Sequence, residues 1–221
     1  MLKPPIWMPV NRAHPVMRDL VLFLLFNEGT GPNVRDLADH EKSLREFALA
    51  SPAWVGGSNG FALSFNGSSD EIDCGTDSDF NIPGPISIEV MAISNQTTLR
   101  IILSKMDAAA DGWNLAYVNQ HLYMRANSGT CEGTIDVIDG KKHHLVGVYN
   151  GNDIIVYVDG AEDSRKTVGS ITLNVSNELY IGRYYTASLH FDGVMEYVRI
   201  WDRALDESEI YTLARDPYCM F

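Results

Sequence analysis

The 221-residue chain has few cysteines, few cations and no long apolar run, and each shortage excludes something. Its three cysteines, Cys74, Cys131 and Cys219, are widely spaced and form no CxxC pair. That leaves neither a disulfide framework nor a zinc cluster, and is the pattern of free, partly buried thiols. Lys and Arg number 17 against 29 Asp and Glu, a formal net charge of −12. A surface of that sign does not neutralise phosphates, so nucleic acid is excluded as a partner, and so is docking on anionic lipid. The longest apolar run is residues 20–26, far short of the roughly 20 residues that cross a bilayer. The opening Met1-Leu2-Lys3-Pro4-Pro5 has no apolar h-region and does not read as a signal peptide, so the expectation is synthesis in the cytoplasm without one.

What is present is an ordinary globular balance, 45% hydrophobic and 21% charged. β-branched and aromatic runs lie at 20–26, 62–65, 86–93, 99–104, 113–118, 122–126, 143–149, 154–158, 179–182 and 191–201, separated by Gly, Asn, Asp and Pro. Many short strands with regular turn signals predict an all-β sandwich rather than βαβ units. The clearest unit spans residues 145–158, where Asn150-Gly151 divides two apolar runs and predicts a tight hairpin. Asp159-Gly160 marks a second turn directly after it.

One short helix is predicted over residues 207–214. Asp206 and Glu209 are spaced as a variant of the capping box, Leu205 and Ile210 as a hydrophobic staple, and Pro217 follows the end. A weaker helical pattern covers 41–49, through Leu44, Phe47 and Ala48. Residues 1–18 hold Pro4, Pro5, Pro9 and Pro15 and predict an extended arm, followed by a domain over 19–214 and a tail over 215–221.

Taken in order, LVLFLLFNEG (20–29), ALSFNGSSDEIDCG (62–75), ISIEV (86–90), HHLVGVYNGNDIIVYVDG (143–160), LYIG (179–182) and FDGVMEYVRIWDRAL (191–205) resemble the LamG-like jelly rolls of the concanavalin A-like lectin/glucanase group. The resemblance implies a two-sheet antiparallel jelly-roll sandwich with one short C-terminal helix. Asn11-Arg12-Ala13-His14-Pro15 and Asp216-Pro217-Tyr218 further resemble stand-alone members encoded by phages and prophages. That implies a virion-associated assembly or attachment protein: a capsid decoration, a head fibre or a tail accessory. A free carbohydrate-binding, lectin-like module is the alternative, and an atypical glycoside hydrolase a more distant one.

The residues bear on each possibility. Jelly-roll glucanases carry Glu-x-Asp-x-Glu or Glu-x-Asp-x-x-Glu on a strand, which places two carboxylates on one face. Glu71-Ile72-Asp73 lacks the second Glu, and no GxSxG or HExxH occurs, so the chain is expected not to be an enzyme. His143 and His144 are adjacent on a strand and point to opposite faces. The resemblance implies one structural Ca²⁺ between the first loop and the last strand, through Asp36, Asp39 and Glu196. The alternative is a solvated acidic loop, with Glu196 paired to Arg199 or Arg183. Trp113, Asn114, Tyr117, Tyr123, Tyr184, Tyr185 and His190 are aromatic or amide residues suited to a sugar. Trp113, Tyr117 and Tyr123 are equally suited to a core, so Tyr184 and Tyr185 lead, with His190, Trp113 and Asn114 beside them. Trp7 and Met8 in the arm, and Tyr218 and Phe221 in the tail, are apolar groups placed either to pack on the domain or to clamp a partner, which would be another virion or capsid protein or a second copy.

Overall fold

A computed structural model describes residues 2–5, 7–38, 45–57, 59–107, 109, 111–173 and 176–221. The first eight strands are β1 (Leu20–Leu24), β2 (Asn33–Arg35), β3 (Glu46–Ala50), β4 (Ala53–Gly57), β5 (Gly60–Asn66), β6 (Glu71–Asp73), β7 (Ile86–Ser94) and β8 (Arg100–Met106). Then come β9 (Gly112–Val118), β10 (His121–Ala126), β11 (Gly129–Glu132), β12 (His143–Tyr149), β13 (Asp153–Val158), β14 (Ala161–Thr167), β15 (Tyr180–Ile181) and β16 (Asp192–Trp201), and helix α1 (Glu207–Arg215). They form two sheets. The first runs β14-β13-β12-β7-β16-β5-β4 with β1 also paired to β16, and the second runs β11-β10-β9-β8-β15-β6-β3-β2. The pairings are antiparallel, so the architecture is the expected jelly-roll sandwich.

Each expected apolar run contains a strand. The strands that sequence patterning missed, β2, β3, β4, β6, β11 and β14, are short or polar. The expected helix over 41–49 is corrected in part: 46–50 is β3, because pairing with β2 and β6 buries Phe47, and 41–44 lie outside the described residues. α1 carries the expected capping box, with the Asp206 carboxylate accepting from Glu209 N and the Glu209 carboxylate accepting from Asp206 N. Leu205 and Ile210 are both buried beside that cap.

The sheets enclose a core of residues such as Phe65, Ile88, Leu115, Met124, Leu145 and Val198. Gly147 lets them approach closely there, since a Cβ on it would lie 2.8 Å from both Leu115 Cδ1 and Met124 Sδ. The outer face of the first sheet is also covered. Val16, Met17, Ile210, Leu213, Tyr218 and Met220 pack over Phe23, Tyr157, Tyr197 and Trp201. Trp201 Nε1 donates to the Val16 carbonyl at 2.7 Å, and Asn11 N donates to the Met220 carbonyl at 2.6 Å, which ties the two termini together. Each large apolar side chain sealed there contributes about 1.5–3 kcal/mol. This double cover explains why β7 and β12 are buried on both faces along nearly their whole length, polar residues such as Ser87, Glu89 and His144 included. Among the described residues no helix is long and apolar enough to cross a membrane.

Candidate functional site: a groove on the outer face of the second sheet

On β9 and β10 the alternation of side chains decides what faces out. Trp113, Leu115 and Tyr117 point into the core, as do Leu122, Met124 and Ala126. Asn114, Ala116 and Val118 therefore face outward, and Tyr123 and Arg125 stand beside them, Tyr123 opposite Ala116 and Arg125 opposite Asn114. The segment between β15 and β16 closes one side. It folds on itself through Tyr184 N to Ser188 O and Ala187 N to Tyr184 O, both 3.0 Å, and it is pinned to β8 by Ile101 N to Leu189 O, also 3.0 Å. Arg183 holds the same turn from beneath, with Nη1 donating to the carbonyls of Tyr184 at 3.0 Å and Tyr185 at 3.1 Å.

The result is a cavity of about 370 Å³ with apolar walls from Leu99, Ile101, Ala116, Val118 and Leu189 and polar points from Asn114, Tyr123, Arg125 and Tyr184. Asn114 is buried; its Nδ2 donates to Met106 Sδ at 2.9 Å, and its Oδ1 has no partner among the described residues. Burial pushes the Tyr184 phenol up, Tyr185 adds to that, and Arg125 opposes it. Burial likewise pushes Tyr123 up against the pull of Arg125. Both hydroxyls are donors at neutral pH.

Of the residues expected to bind a ligand, the structure brings Tyr184 and Asn114 together. Tyr185 packs on the Tyr184 ring, with centroids 4.5 Å apart. Trp113 is corrected: it is fully buried, because it neighbours Asn114 on the strand and so takes the opposite face. His190 is buried too, with Nε2 3.8 Å from Glu71 Oε2. Arg125 was missed, although the alternation in HLYMRA (121–126) places it on the face of Tyr123. Glu71 is neutralised by Arg183, whose Nε lies 2.6 Å from Glu71 Oε2 and whose guanidinium stacks 3.5 Å above the Tyr180 ring. In the tail, Tyr218 and Phe221 pack on their own domain, Tyr218 against Tyr197 and Phe221 against Phe23, so their rings are not free to clamp a partner. Trp7 and Met8 remain exposed.

Two of the three residues expected to hold Ca²⁺, Asp36 and Glu196, are engaged by groups of the chain itself. Both oxygens of the Asp36 carboxylate are occupied: Oδ1 accepts from Phe23 N at 2.8 Å and Ala38 N at 2.9 Å, and Oδ2 is held by Arg45 Nε at 2.9 Å and Nη2 at 2.6 Å. Glu196 Oε1 is paired with Lys142 Nζ at 2.9 Å. Asp39 lies outside the described residues. Among the described residues no group of three or more His, Cys, Asp or Glu side chains is arranged for a metal.

A two-sheet antiparallel sandwich with a walled groove on the outer face of one sheet is the architecture of the concanavalin A-like group. The chain belongs to the concanavalin A-like lectin/glucanases superfamily, whose model matches residues 66–211. No curated protein matches it at the sequence level. Among solved structures, the binding domain of Paraclostridial Mosquitocidal Protein 1 is similar at a TM-score of 0.72 and 15% identity, over 90% of this chain and 52% of that one. A structure concerning the ganglioside-dependent cell entry of botulinum neurotoxin type C gives 0.71 and 10%, over 91% and 52%. Domain 4 of AbnA, a GH43 extracellular arabinanase from Geobacillus stearothermophilus, in complex with arabinotriose, gives 0.67 and 17%, over 89% and 98%. The chain thus spans about half the length of the toxin domains it resembles. These likenesses show the fold.

Proposed function

We propose that the chain is a non-catalytic attachment module that holds a glycan in the groove walled by Tyr184, Tyr123, Arg125 and Asn114. The observation that carries this reading is the unpartnered Asn114 Oδ1, buried in the wall of an aromatic-edged cavity. A sugar supplies what such a wall lacks: hydroxyl donors for the amide oxygen and apolar C–H faces for the tyrosine rings. The arabinotriose complex of the AbnA domain supports the ligand class. Isothermal titration against a panel including arabino-oligosaccharides and ganglioside oligosaccharides tests it. We expect one class to bind and to be recovered intact. Tyr184→Ala and Asn114→Ala should each weaken it at least about tenfold, the loss of one stacked ring or one buried hydrogen bond, with the melting temperature unchanged. No binding across the panel, or binding indifferent to Tyr184→Ala, refutes the groove.

A second reading, assembly onto a particle such as a virion, is supported by one observation. Trp7 is 79% exposed on an arm whose flanks at Lys3 and Asn11 are fixed to the domain. A large ring held out in this way suits a partner surface, whether a capsid protein, a neighbouring tail protein or a second copy. Light scattering and particle co-sedimentation of the Trp7→Ala chain separate the readings. Assembly lost with glycan binding kept places the partner contact on the arm, and assembly unchanged removes it.

A further inference from the structure

The first loop and the last strand are bridged by a cation that belongs to the chain itself. Lys3 is 7% exposed, and its Nζ lies 2.6 Å from the Glu196 carbonyl oxygen, 3.1 Å from that of Leu25 and 3.2 Å from that of Phe26, with the Phe61 carbonyl as a fourth acceptor. These oxygens come from the two residues of the first loop that follow β1 by one and two positions, from β5 and from β16. An ammonium donates three hydrogen bonds, so four converging carbonyl dipoles exceed what one lysine satisfies at a time. Without a positive charge at their focus the dipoles would repel one another. The approach is built for the lysine stem: Lys3 N donates to Asn59 O at 2.6 Å, and a Cβ on Gly60 would lie 3.2 Å from Lys3 Cβ and 3.3 Å from Cδ. Burial lowers the pKa of the Lys3 ammonium to about 8, against the pull of the Glu196 and Glu28 carboxylates, so that it still carries its charge at neutral pH.

We propose that this carbonyl cage is a cation site whose resident is the Lys3 ammonium, a tethered charge that replaces a free metal ion and fixes the N-terminal segment to the sandwich. The Asp36 and Glu196 carboxylates near this bridge are likewise held by cations of the chain itself, Arg45 and Lys142. With Lys3 removed, the cage leaves four carbonyl oxygens converging on one point, an all-oxygen set of the kind a hard cation such as Ca²⁺ takes, completing its shell with water.

The full chain and its Lys3→Ala variant, each with EDTA or CaCl₂ and with MgCl₂ and KCl as comparison salts, test this by thermal melting and calorimetric titration. The wild type should melt at one temperature with EDTA and with Ca²⁺ and show no binding heat. Lys3→Ala should melt at least about 5 °C lower in EDTA, the loss of several charge-assisted hydrogen bonds from a domain of this size, and recover on Ca²⁺ with one site per chain. A wild-type melt that falls on chelation, or a variant that melts like wild type and ignores every cation, overturns the proposal. Should Lys3→Ala fail to fold, the ¹H–¹⁵N spectrum of the wild-type lysine ammonium groups decides. A Lys3 signal protected from solvent exchange upholds the cage, and one exchanging like an exposed lysine refutes it.

Discussion

The most severe single perturbation the structure offers lies under the C-terminal tail, at Arg199. This guanidinium and the Glu89 carboxylate are both fully buried, with Nη1 3.1 Å from Oε1 and 3.0 Å from Oε2. Arg199 also donates through Nη2 to the Pro217 carbonyl, and it lies 4.3 Å from the Phe23 ring and 4.4 Å from that of Tyr197. Glu89 accepts further from His144 Nε2 at 2.8 Å and the Tyr197 hydroxyl at 3.1 Å. Replacing Arg199 with Met keeps the stem and leaves a buried carboxylate without its counter-ion, at a cost of about 3–5 kcal/mol. For a domain of this size each kcal/mol moves the melting temperature by about 2–4 °C, so the expected drop is about 6–20 °C. Adding Glu89→Gln removes the stranded charge while keeping an amide for His144 and Tyr197, and should restore most of the loss. The acid limb provides a second readout. Burial alone would push the Glu89 carboxyl up, but Arg199 and His144 outweigh it and hold it below its ordinary 4.5. A depressed carboxyl contributes stability that is complete above the unfolded value and lost as the pH falls through the folded one. The wild type should therefore lose stability below about pH 4.5 more steeply than the double variant. A melt of Arg199→Met within about 2 °C of wild type, or a double variant no better than the single, would refute this account of the pair.

Gly151 opens the turn between β12 and β13 at φ +97°, where Asn150 N donates to Asp153 O at 3.1 Å; Gly151→Val should cost about 1–3 kcal/mol, read as a lower urea midpoint with an unchanged slope. At His143, burial works against the imidazolium, but Asp159 at 2.8 Å and Asp139 at 3.0 Å prevail and raise it above its ordinary 6.5. A raised His contributes stability that is complete below about pH 6.5 and lost as the pH climbs through the folded value, so the melting gap between wild type and His143→Gln should widen in acid and close in base; a gap that is flat with pH contradicts the pairing.

The fold was legible wherever local chemistry and tertiary demand agree. LVGVYNGNDIIVYV (145–158) became β12 and β13, although its turn differs in detail: Gly151 alone takes positive φ, while the Asn150 side chain accepts from Asn152 N and Asp153 N. The next turn was equally readable, with Asp159 at φ 52° and Gly160 at φ 86°, yet β14 was missed because AEDSRKT offers no apolar alternation. Its charges suit an edge strand that must not pair further. β3 was misread as part of a helix because Leu44, Phe47 and Ala48 match a helical spacing; pairing with β2 and β6 overrides that preference.

For the site, parity was the missing quantity. In β9 nearly every residue is buried, so composition could not tell whether Trp113 or Asn114 faces the groove. In β10 the alternation is clean, and Arg125 was there to be found. Lys3 was beyond reach for another reason. Its partner Glu196 lies 193 residues away, and no local pattern announces where a proline-rich arm will dock.

Two buried cations on the first sheet perform the same task at opposite ends of the chain. Lys3 fixes the arm through carbonyls of the loop after β1, of β5 and of β16, and Arg199 on β16 fixes the tail through the carbonyl of Pro217. Apolar packing alone would hold these segments but leave their register free, since the hydrophobic effect has no direction. A charge buried among oriented carbonyls does have one. The chain's own ends cover part of the outer face of the first sheet, leaving a hollow over β12 and β13 beside Leu205. The open face belongs to β8, β9 and β10, where Asn114 keeps an unpartnered oxygen. In the attachment module proposed above, the sheet that carries both terminal segments would fix the orientation of the sheet that carries the groove.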